Sequence, residues 1–487
     1  MSDILADKLT EINNRFINNV LEALDHRQNT LELEYAIFHL IMSFACAIIG
    51  VLFEYIDEQF YESVKGQGYQ VERRDERTIN FLFGMVTFKR RRIRKPGEKG
   101  FYLLDRRLGF PKGKRYSGAV IKAAAELSTT MVTQSVANAF QMLTPVTMSH
   151  QTVTSLMHYL GKAAGEYEDS VARGLIKDKA TSEATVLAIE GDGLMLGVKD
   201  GKKKELHRIQ IYENVVERGS RRILVKSRLF ADTDKATLRE RVSLYLDNYF
   251  RLGHLTVISN GDGGSGYDKR GFQGICWGCR EHIHVRDDFH VNKKIRERLS
   301  FCPKVLVDEI IQELKSLNTV DKVMRKIPLW LDTAVSHVRK ESLNHDMEQI
   351  ERLRAYLERN ATCLKSLVRI EQQTNIRLGT AESNHRIYSY RMKRQGRSWS
   401  EEGLKAMANL ITARKNGELD KALLYGIKGQ YVHRIEEEVT EAIIRIKERA
   451  GIKSNYRPGM IAGRIGVYGP SSSPMGALAR ALVNVDW

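Results

Sequence analysis

Residues 184–193 read ATVLAIEGDG, and residues 255–264 read LTVISNGDGG. Each is a short apolar run that ends in an aspartate among glycines, Asp192 in the first and Asp262 in the second. Runs of this length with β-branched residues predict buried strands. Glycines beyond a strand let a ligand approach the backbone closely, and strand ends are where ligands collect in open α/β sheets. Two neighbouring strands of this kind would bring two carboxylates together. Like charges at close range need compensation, and Mg²⁺, which prefers carboxylate oxygen, is the usual source of it. Taken singly, an aspartate between glycines reads first as a turn residue.

The flanking pattern extends the sheet. Leu194–Val198, His207–Tyr212, Arg222–Val225 and Ile283–Val285 are strand-like, and a helix with Leu238, Val242 and Leu246 on one side interrupts them. The fold class expected is therefore α/β, with a mixed sheet over residues 183–302. Residues 303–370 are amphipathic and all-helical, which makes them an insertion before the closing segment of the core at 371–420. That segment opens on Gly379-Thr380-Ala381-Glu382 and carries Arg386, Arg391, Lys393, Arg394 and Arg397. Glu382 is the candidate third acid. By itself it is also a helix-start acid favoured by the dipole. The basic residues after it suit phosphate contacts, and Trp399 suits either base stacking or core packing.

Upstream lies an N-terminal region, residues 1–75, that reads as helical to about 65, with Ile12, Phe16, Val20 and Leu24 on one stripe; self-association or packing is its expected role. Tyr35–Phe53 has no formal charge and approaches the length of a membrane span; a buried or oligomerising helix is the reading adopted, with no membrane partner. Residues 76–116 turn basic: Lys89, Arg90, Arg91, Arg92, Arg94 and Lys95 follow the strand-like Phe81–Thr87, and Lys112, Lys114 and Arg115 follow Phe101–Leu104. Such a run suits a phosphate track or a solvated hairpin. Residues 117–165 read as helix, turn, helix, with Gln151 and Thr152 at the start of the last helix. That is either a DNA-reading helix-turn-helix or an ordinary three-helix core. Residues 421–487 end in a Gly/Ser/Pro-rich tail expected to be loose.

Composition narrows the partners. The chain has 487 residues, 77 basic and 60 acidic, for a formal charge of +17, which favours a polyanion. With 42% apolar and 28% charged residues it is globular rather than disordered. Five cysteines make no disulfide framework, and the acidic, polar start is no secretory signal. The odd cysteine count points to a reducing, cytoplasmic compartment. Cys276-Trp277-Gly278-Cys279 with His282 and His284 has the ligand types for zinc, but the spacing is too short for a common finger, so zinc is not expected. Gly261-x-Gly263-x-x-Gly266 matches a dinucleotide fingerprint literally. No apolar helix pattern follows it, which argues against NAD.

Three phrases carry a resemblance. ESNHRIYSYRMKRQGRSWSEEG (382–403), GDGGSGY (261–267) and DDFHVNKKI (287–295) look like the ISLre group of bacterial insertion-sequence transposases, related to the mutator type. The likeness covers roughly residues 70 to 420. It implies an RNase H-like catalytic core in which Asp192, Asp262 and Glu382 bind two Mg²⁺ ions, Mn²⁺ substituting. The acids are 262 − 192 = 70 and 382 − 262 = 120 residues apart, which leaves room for the helical insertion. Asp287 and His290 fall where mutator-like enzymes have a (C/D)xxH signature, an accessory or DNA-positioning pair; a helix-start cap is the alternative. The activity implied is cleavage at the element's ends and transfer of the freed 3′-OH into target DNA. Double-stranded DNA and a homodimer or higher homo-oligomer would be the partners. An inactive DNA-binding descendant, or a nuclease without strand transfer, would share these residues.

Overall fold

The computed structural model describes residues 3–428, apart from 27–28, 177–180, 220, 265, 318, 365–369, 371–373, 375, 377, 380 and 395–396. The expected loose tail lies outside the described residues. Two compact units divide the chain. One holds Met1–Glu168, Gly197–Lys203 and Ile387–Val432; the other holds Asp169–Leu196 and Lys204–Arg386.

The first unit opens with α1 (Asp3–His26) and α2 (Thr30–Glu62), then β1 (Gln70–Phe81), β2 (Gly84–Arg94), β3 (Phe101–Tyr102) and α3 (Leu103–Leu108). The helical start ends at Glu62, close to the expected 65. β1 and β2 form an antiparallel hairpin from Gln70↔Arg94 to Phe81↔Gly84. Its turn is Leu82-Phe83, inside the stretch expected to be one strand. Gly84, at φ +128, allows that turn and lies under α2: a Cβ there would come within 2.8 Å of Cys46 Sγ. Cys46, Ile49, Phe53, Ile56 and Phe60 recur on one stripe of α2 and pack on Ile79, Val86 and Phe88 of the hairpin. α2 is the one helix among the described residues long and apolar enough to cross a bilayer. Its stripe instead covers a sheet, and Asp57 near its end is 3% exposed and paired. Helices α4 (Gly118–Ser128), α5 (Thr133–Leu143) and α6 (His150–Ala172) follow, and the last runs past the expected end near 164.

The second unit contains β4 (Val186–Gly197), β5 (Lys203–Tyr212), a side hairpin β6 (Asn214–Arg218) and β7 (Arg221–Val225), β8 (Arg228–Asp232), α7 (Lys235–Tyr249), β9 (Thr256–Gly261), α8 (Lys269–Ile275) and β10 (Glu281–Arg286). The five-stranded sheet runs β10-β9-β4-β5-β8. β10, β9 and β4 are parallel, and β5 and β8 are antiparallel. The five-residue link from β4 to β5 permits only an antiparallel pair. The sheet is therefore mixed, and the α/β class stands. Ala188, Tyr212, Ile258, Val285 and Ile283 on one face are covered by Ile370, Ile376 and Leu378. Helix α8 was not expected after Gly266. Asp268 caps it by accepting from Gly271 N–H at 2.8 Å.

α9 (Asp288–Arg298), α10 (Lys304–Ser316), α11 (Val320–Val335) and α12 (Leu343–Asn360) share one core that includes Val291, Ile295, Ile311, Ile327, Leu331 and Leu353. The helical body therefore begins at α9, ahead of the expected 303, because the apolar stripe of α9 faces the later helices rather than the sheet. α13 (Ala381–Met392), α14 (Glu401–Asn416) and α15 (Leu419–Lys428) complete the described chain. α14 joins the first unit through a close backbone approach: a Cβ at Gly161 would lie 2.5 Å from the Ala406 carbonyl oxygen.

Candidate functional site

The strand register decides where the aspartates meet. β4 pairs with β9 up to Gly191↔Gly261, and β10 pairs with β9 up to Arg286↔Gly261. The next residues are Asp192, Asp262 and Asp287, so three carboxylates share one level: Asp262 and Asp287 just beyond the ends of β9 and β10, and Asp192 within β4, which runs on to Gly197 after its pairing with β9 stops. Neighbouring strands lie about 4.8 Å apart. Side chains alternate along a strand and match across a parallel register, so the three leave the sheet on the same face. That face also carries Ala188, Ile258 and Val285 deeper in the sheet.

Asp192 is positioned from both sides. Its Oδ1 accepts from Gly193 N–H at 2.7 Å, and Oδ2 lies 3.3 Å from Arg208 Nη2 on β5. Arg208 is 3% exposed. Its buried guanidinium offsets part of the repulsion among the strand-end acids, and sequence reasoning missed it; only the pairing of β4 with β5 points to it. Asp262 Oδ1 accepts from Gly264 N–H at 2.8 Å, a local turn that holds the carboxylate at the strand end. Asp287 Oδ2 accepts from His290 Nδ1 at 2.7 Å across one turn of α9. The adjacent Asp288 is pushed up to about 6, chiefly by burial.

The glycines have a more specific role than general ligand access. A Cβ at Gly191 or Gly261 would collide with Tyr267 and Phe272, at 2.5–3.0 Å for the nearest atoms. At Gly193 it would strike Glu205, and at Gly263 Arg286. These positions are glycine because other side chains of the protein fill the space. Gly264, beside Asp262, meets only that carboxylate.

Glu382 lies in the first turn of α13, and its side chain is outside the described residues. The backbone leading to it is anchored. Glu190, 2% exposed, accepts from Gly379 N–H at 2.5 Å and from Asn260 Nδ2 at 3.2 Å. Glu190 precedes Asp192 by two residues on the same strand and face, and Gly379 precedes Glu382 by three. Three residues span at most about 11 Å, so the start of α13 is tethered beside the aspartate edge. Among the described residues no three His, Cys, Asp or Glu side chains are grouped to hold a metal ion. The carboxylate oxygens of Asp192 and Asp262, at one level of adjacent strands, are a donor set that suits Mg²⁺.

The basic residues divide. Arg90 and Arg91, expected on DNA, are 8% and 5% exposed. Arg90 pairs with Asp105 at 2.9 Å, and Arg91 with Asp57 at 2.8 Å and Glu58 at 2.6 Å. This corrects the expectation for both: an acid of the protein itself, Asp105 for Arg90 and Asp57 for Arg91, stands where a phosphate was expected. Arg92 is half-buried against Glu72, Lys95 stacks over Tyr69, and Lys114 stacks over Tyr159. Lys89, Arg94, Lys112 and Arg115 are exposed. Gln151 is exposed at the start of α6 and Thr152 is half-buried, its N–H donating to Ser149 Oγ at 3.1 Å. Arg386, Lys393 and Arg394 are exposed. Arg391 is buried: it donates to the Ser128 carbonyl at 2.6 Å and stacks on Trp399, and burial pushes it down to about 10. Trp399 Nε1 donates to the Met392 carbonyl, so both take the packing alternative; Arg397 caps the Arg391 carbonyl at 2.8 Å.

Cys276 Sγ donates to the Phe272 carbonyl at 3.1 Å and Cys279 Sγ to the Glu281 carbonyl at 3.4 Å. His282 and His284 turn elsewhere. Both bond Ser259 Oγ at 2.8 Å, and burial pushes both rings down to about 4.

Residues 24–427 match the family described as "Uncharacterised protein family (UPF0236)". A relative from Streptococcus gallolyticus, "UPF0236 protein in vanSb 3'region", is 33% identical over 407 residues, 82% of this chain and 86% of that protein. Two UPF0236 proteins of Caldanaerobacter subterraneus subsp. tengcongensis are 23% and 24% identical over 464 residues, 93% of this chain and 93% of each relative. The name of the second joins eleven designations in that organism. The chain belongs to the UPF0236 family.

Proposed function

We propose that this UPF0236 protein is a DDE-type transposase of the ISLre kind, which cuts DNA at the ends of an insertion sequence and joins the freed 3′-OH to target DNA. The observation that carries the reading is the register that sets Asp192 and Asp262 at one level of adjacent parallel strands. The tether from Glu190 to Gly379 adds the start of α13, with Glu382, to the same edge. A mixed five-stranded sheet with acids at these strand ends suits the RNase H-like core that the resemblance implies. A relative whose single name joins eleven designations in one organism suits a gene carried in many copies, as a mobile element is.

Asp192, Asp262 and Glu382 would hold the divalent cations, Mg²⁺ or Mn²⁺. When bound, these ions supply Lewis-acid stabilisation of charge on the attacking and leaving oxygens. The chain's own residues do the rest. Arg208 holds Asp192 and limits repulsion at the edge. Asp287 fixes the His290 ring through Nδ1; with both ring nitrogens protonated, Nε2 donates to a phosphate oxygen. Lys89, Arg94, Lys112 and Arg115 in the first unit, and Arg386 in the second, contact DNA phosphates beyond the cut. Two copies act together, because joining two ends needs two active sites. Such an enzyme works in the cytoplasm, on the nucleoid.

The test is a labelled duplex carrying the DNA that flanks the gene. Cleavage and joining are expected with Mg²⁺ or Mn²⁺ and not with Ca²⁺, and Asp192→Asn should abolish both while DNA affinity is kept. Joining by Asp192→Asn at the wild-type rate sinks the reading. Cleavage without joining would reduce it to a nuclease.

A further inference from the structure

Arg286 closes β10 one residue before the carboxylate level. Its guanidinium lies against Gly263, which has φ +79; a Cβ there would fall 0.8 Å from Nη1. Nε and Nη2 both donate to Asn360 Oδ1, at 2.9 and 2.6 Å. Asn360 ends α12, is 5% exposed, and donates from Nδ2 to the Tyr356 carbonyl at 2.7 Å, which fixes the orientation of its amide. The helical insertion therefore aims this arginine.

The remaining nitrogen, Nη1, is buried and has no hydrogen-bond partner. Among the described residues no carboxylate forms an ion pair with Arg286. The arginine is half-buried and held by a neutral amide, and an unsatisfied buried donor atom points to a missing acceptor. Arg286 directly precedes Asp287 and lies against Gly263, the residue after Asp262, so it stands next to two of the strand-edge acids. Fork-shaped guanidinium donors match phosphate oxygens. Gly263, having no side chain, makes room for that guanidinium beside Asp262.

We infer that Arg286 binds a non-bridging oxygen of the phosphodiester that lies over Gly263 and Gly264, and that Asn360 is its positioning residue. This rests on the DNA-cleavage reading above. It also gives the helical insertion a task at the site: to hold a phosphate contact that no strand of the sheet could orient alone.

The experiment uses the full chain and duplexes from the gene's flanking DNA, with single phosphates replaced one at a time by neutral methylphosphonate. Affinity is measured in Ca²⁺, so that no turnover is needed. Wild type is expected to lose about tenfold in affinity when the phosphate at the cut is neutralised, in line with a charge-assisted hydrogen bond. Arg286→Ala should lose that sensitivity, and Asn360→Ala should lose part of it. Arg286→Lys keeps the charge without the fork and should retain a reduced response, which serves if the alanine variant does not fold. A wild type indifferent to every neutralised phosphate overturns the inference, as does an Arg286→Ala variant with the full wild-type response. Absence of Mg²⁺- or Mn²⁺-dependent cleavage by wild type, with the phosphate coupling intact, sinks the functional reading instead.

Discussion

The carboxylate edge of the second unit and the basic hairpin of the first are both strands rich in one charge, and they use it in opposite ways. At the edge, three acids lie at one level and on one face where the parallel pairing of β4, β9 and β10 stops. Along the hairpin, the basic residues divide between interior and solvent. Arg90 and Arg91 enter the interior and meet Asp105, Asp57 and Glu58, while Lys89 and Arg94 stay in water. Charges at this edge can gather with only partial internal compensation, Arg208 beside Asp192, because a ligand can supply the rest. Charges within a strand must be matched by the protein itself wherever the strand is covered. The density of a basic run therefore says little about how much of it reaches DNA.

The largest expected effect separates the two regions by activity. Asp192→Asn or Asp262→Asn should slow cleavage by about a thousandfold or more, because each loss removes several kcal/mol of charge stabilisation in the transition state. Lys89→Gln should leave single-turnover cleavage within about threefold, the size of a rim contact. An Asp262→Asn enzyme that cuts normally would erase the contrast.

Stability should divide the regions the other way. Asp57→Ala leaves Arg91 buried without its main counter-charge and is expected to cost about 3 kcal/mol, read as a drop in the urea midpoint. An exposed substitution such as Arg94→Gln should stay within about 0.5 kcal/mol. If Arg91→Gln weakened DNA binding while the urea midpoint held, Arg91 would be a phosphate contact after all.

Salt sharpens the comparison further. Each phosphate contact contributes about 0.9 to the slope of log affinity against log salt. The double variant Lys89→Gln, Arg94→Gln should lower the slope by about 1.8 if both residues reach DNA. An unchanged slope would remove the hairpin from the interface.

The smallest effect concerns pH. His282 and His284 sit near 4 in the folded protein against 6.5 in the open chain, so the unfolded state binds more protons between those values. Stability from these rings is complete above about 6.5 and is lost as pH falls toward 4. Asp288, held near 6 against 3.8, acts in the opposite sense over part of that window. Two histidines against one aspartate leave a net loss on acidification of about 1–2 kcal/mol, allowing for water reaching the partly buried rings. Urea melts at pH 7 and pH 5 measure it, and replacing both histidines should flatten the difference.

The two GDG-bearing strands, the strand-like stretches around them and the helical block after β10 were legible in the amino-acid order, because hydrophobic period and glycine punctuation are local properties. So were Asp192 and Asp262. Tertiary structure alone decided that Asp287 joins their level, that Arg208 and Arg286 attend them, and that Glu190 ties the start of α13 to the same edge. It also decided that Gly191 and Gly261 make room for Tyr267 and Phe272, and that Arg90, Arg91, Arg391 and Trp399 turn inward. The reason is one of distance along the chain. Register between strands 70 residues apart, and the charge that faces a buried arginine, are set by pairing and packing, and no window of sequence contains both partners.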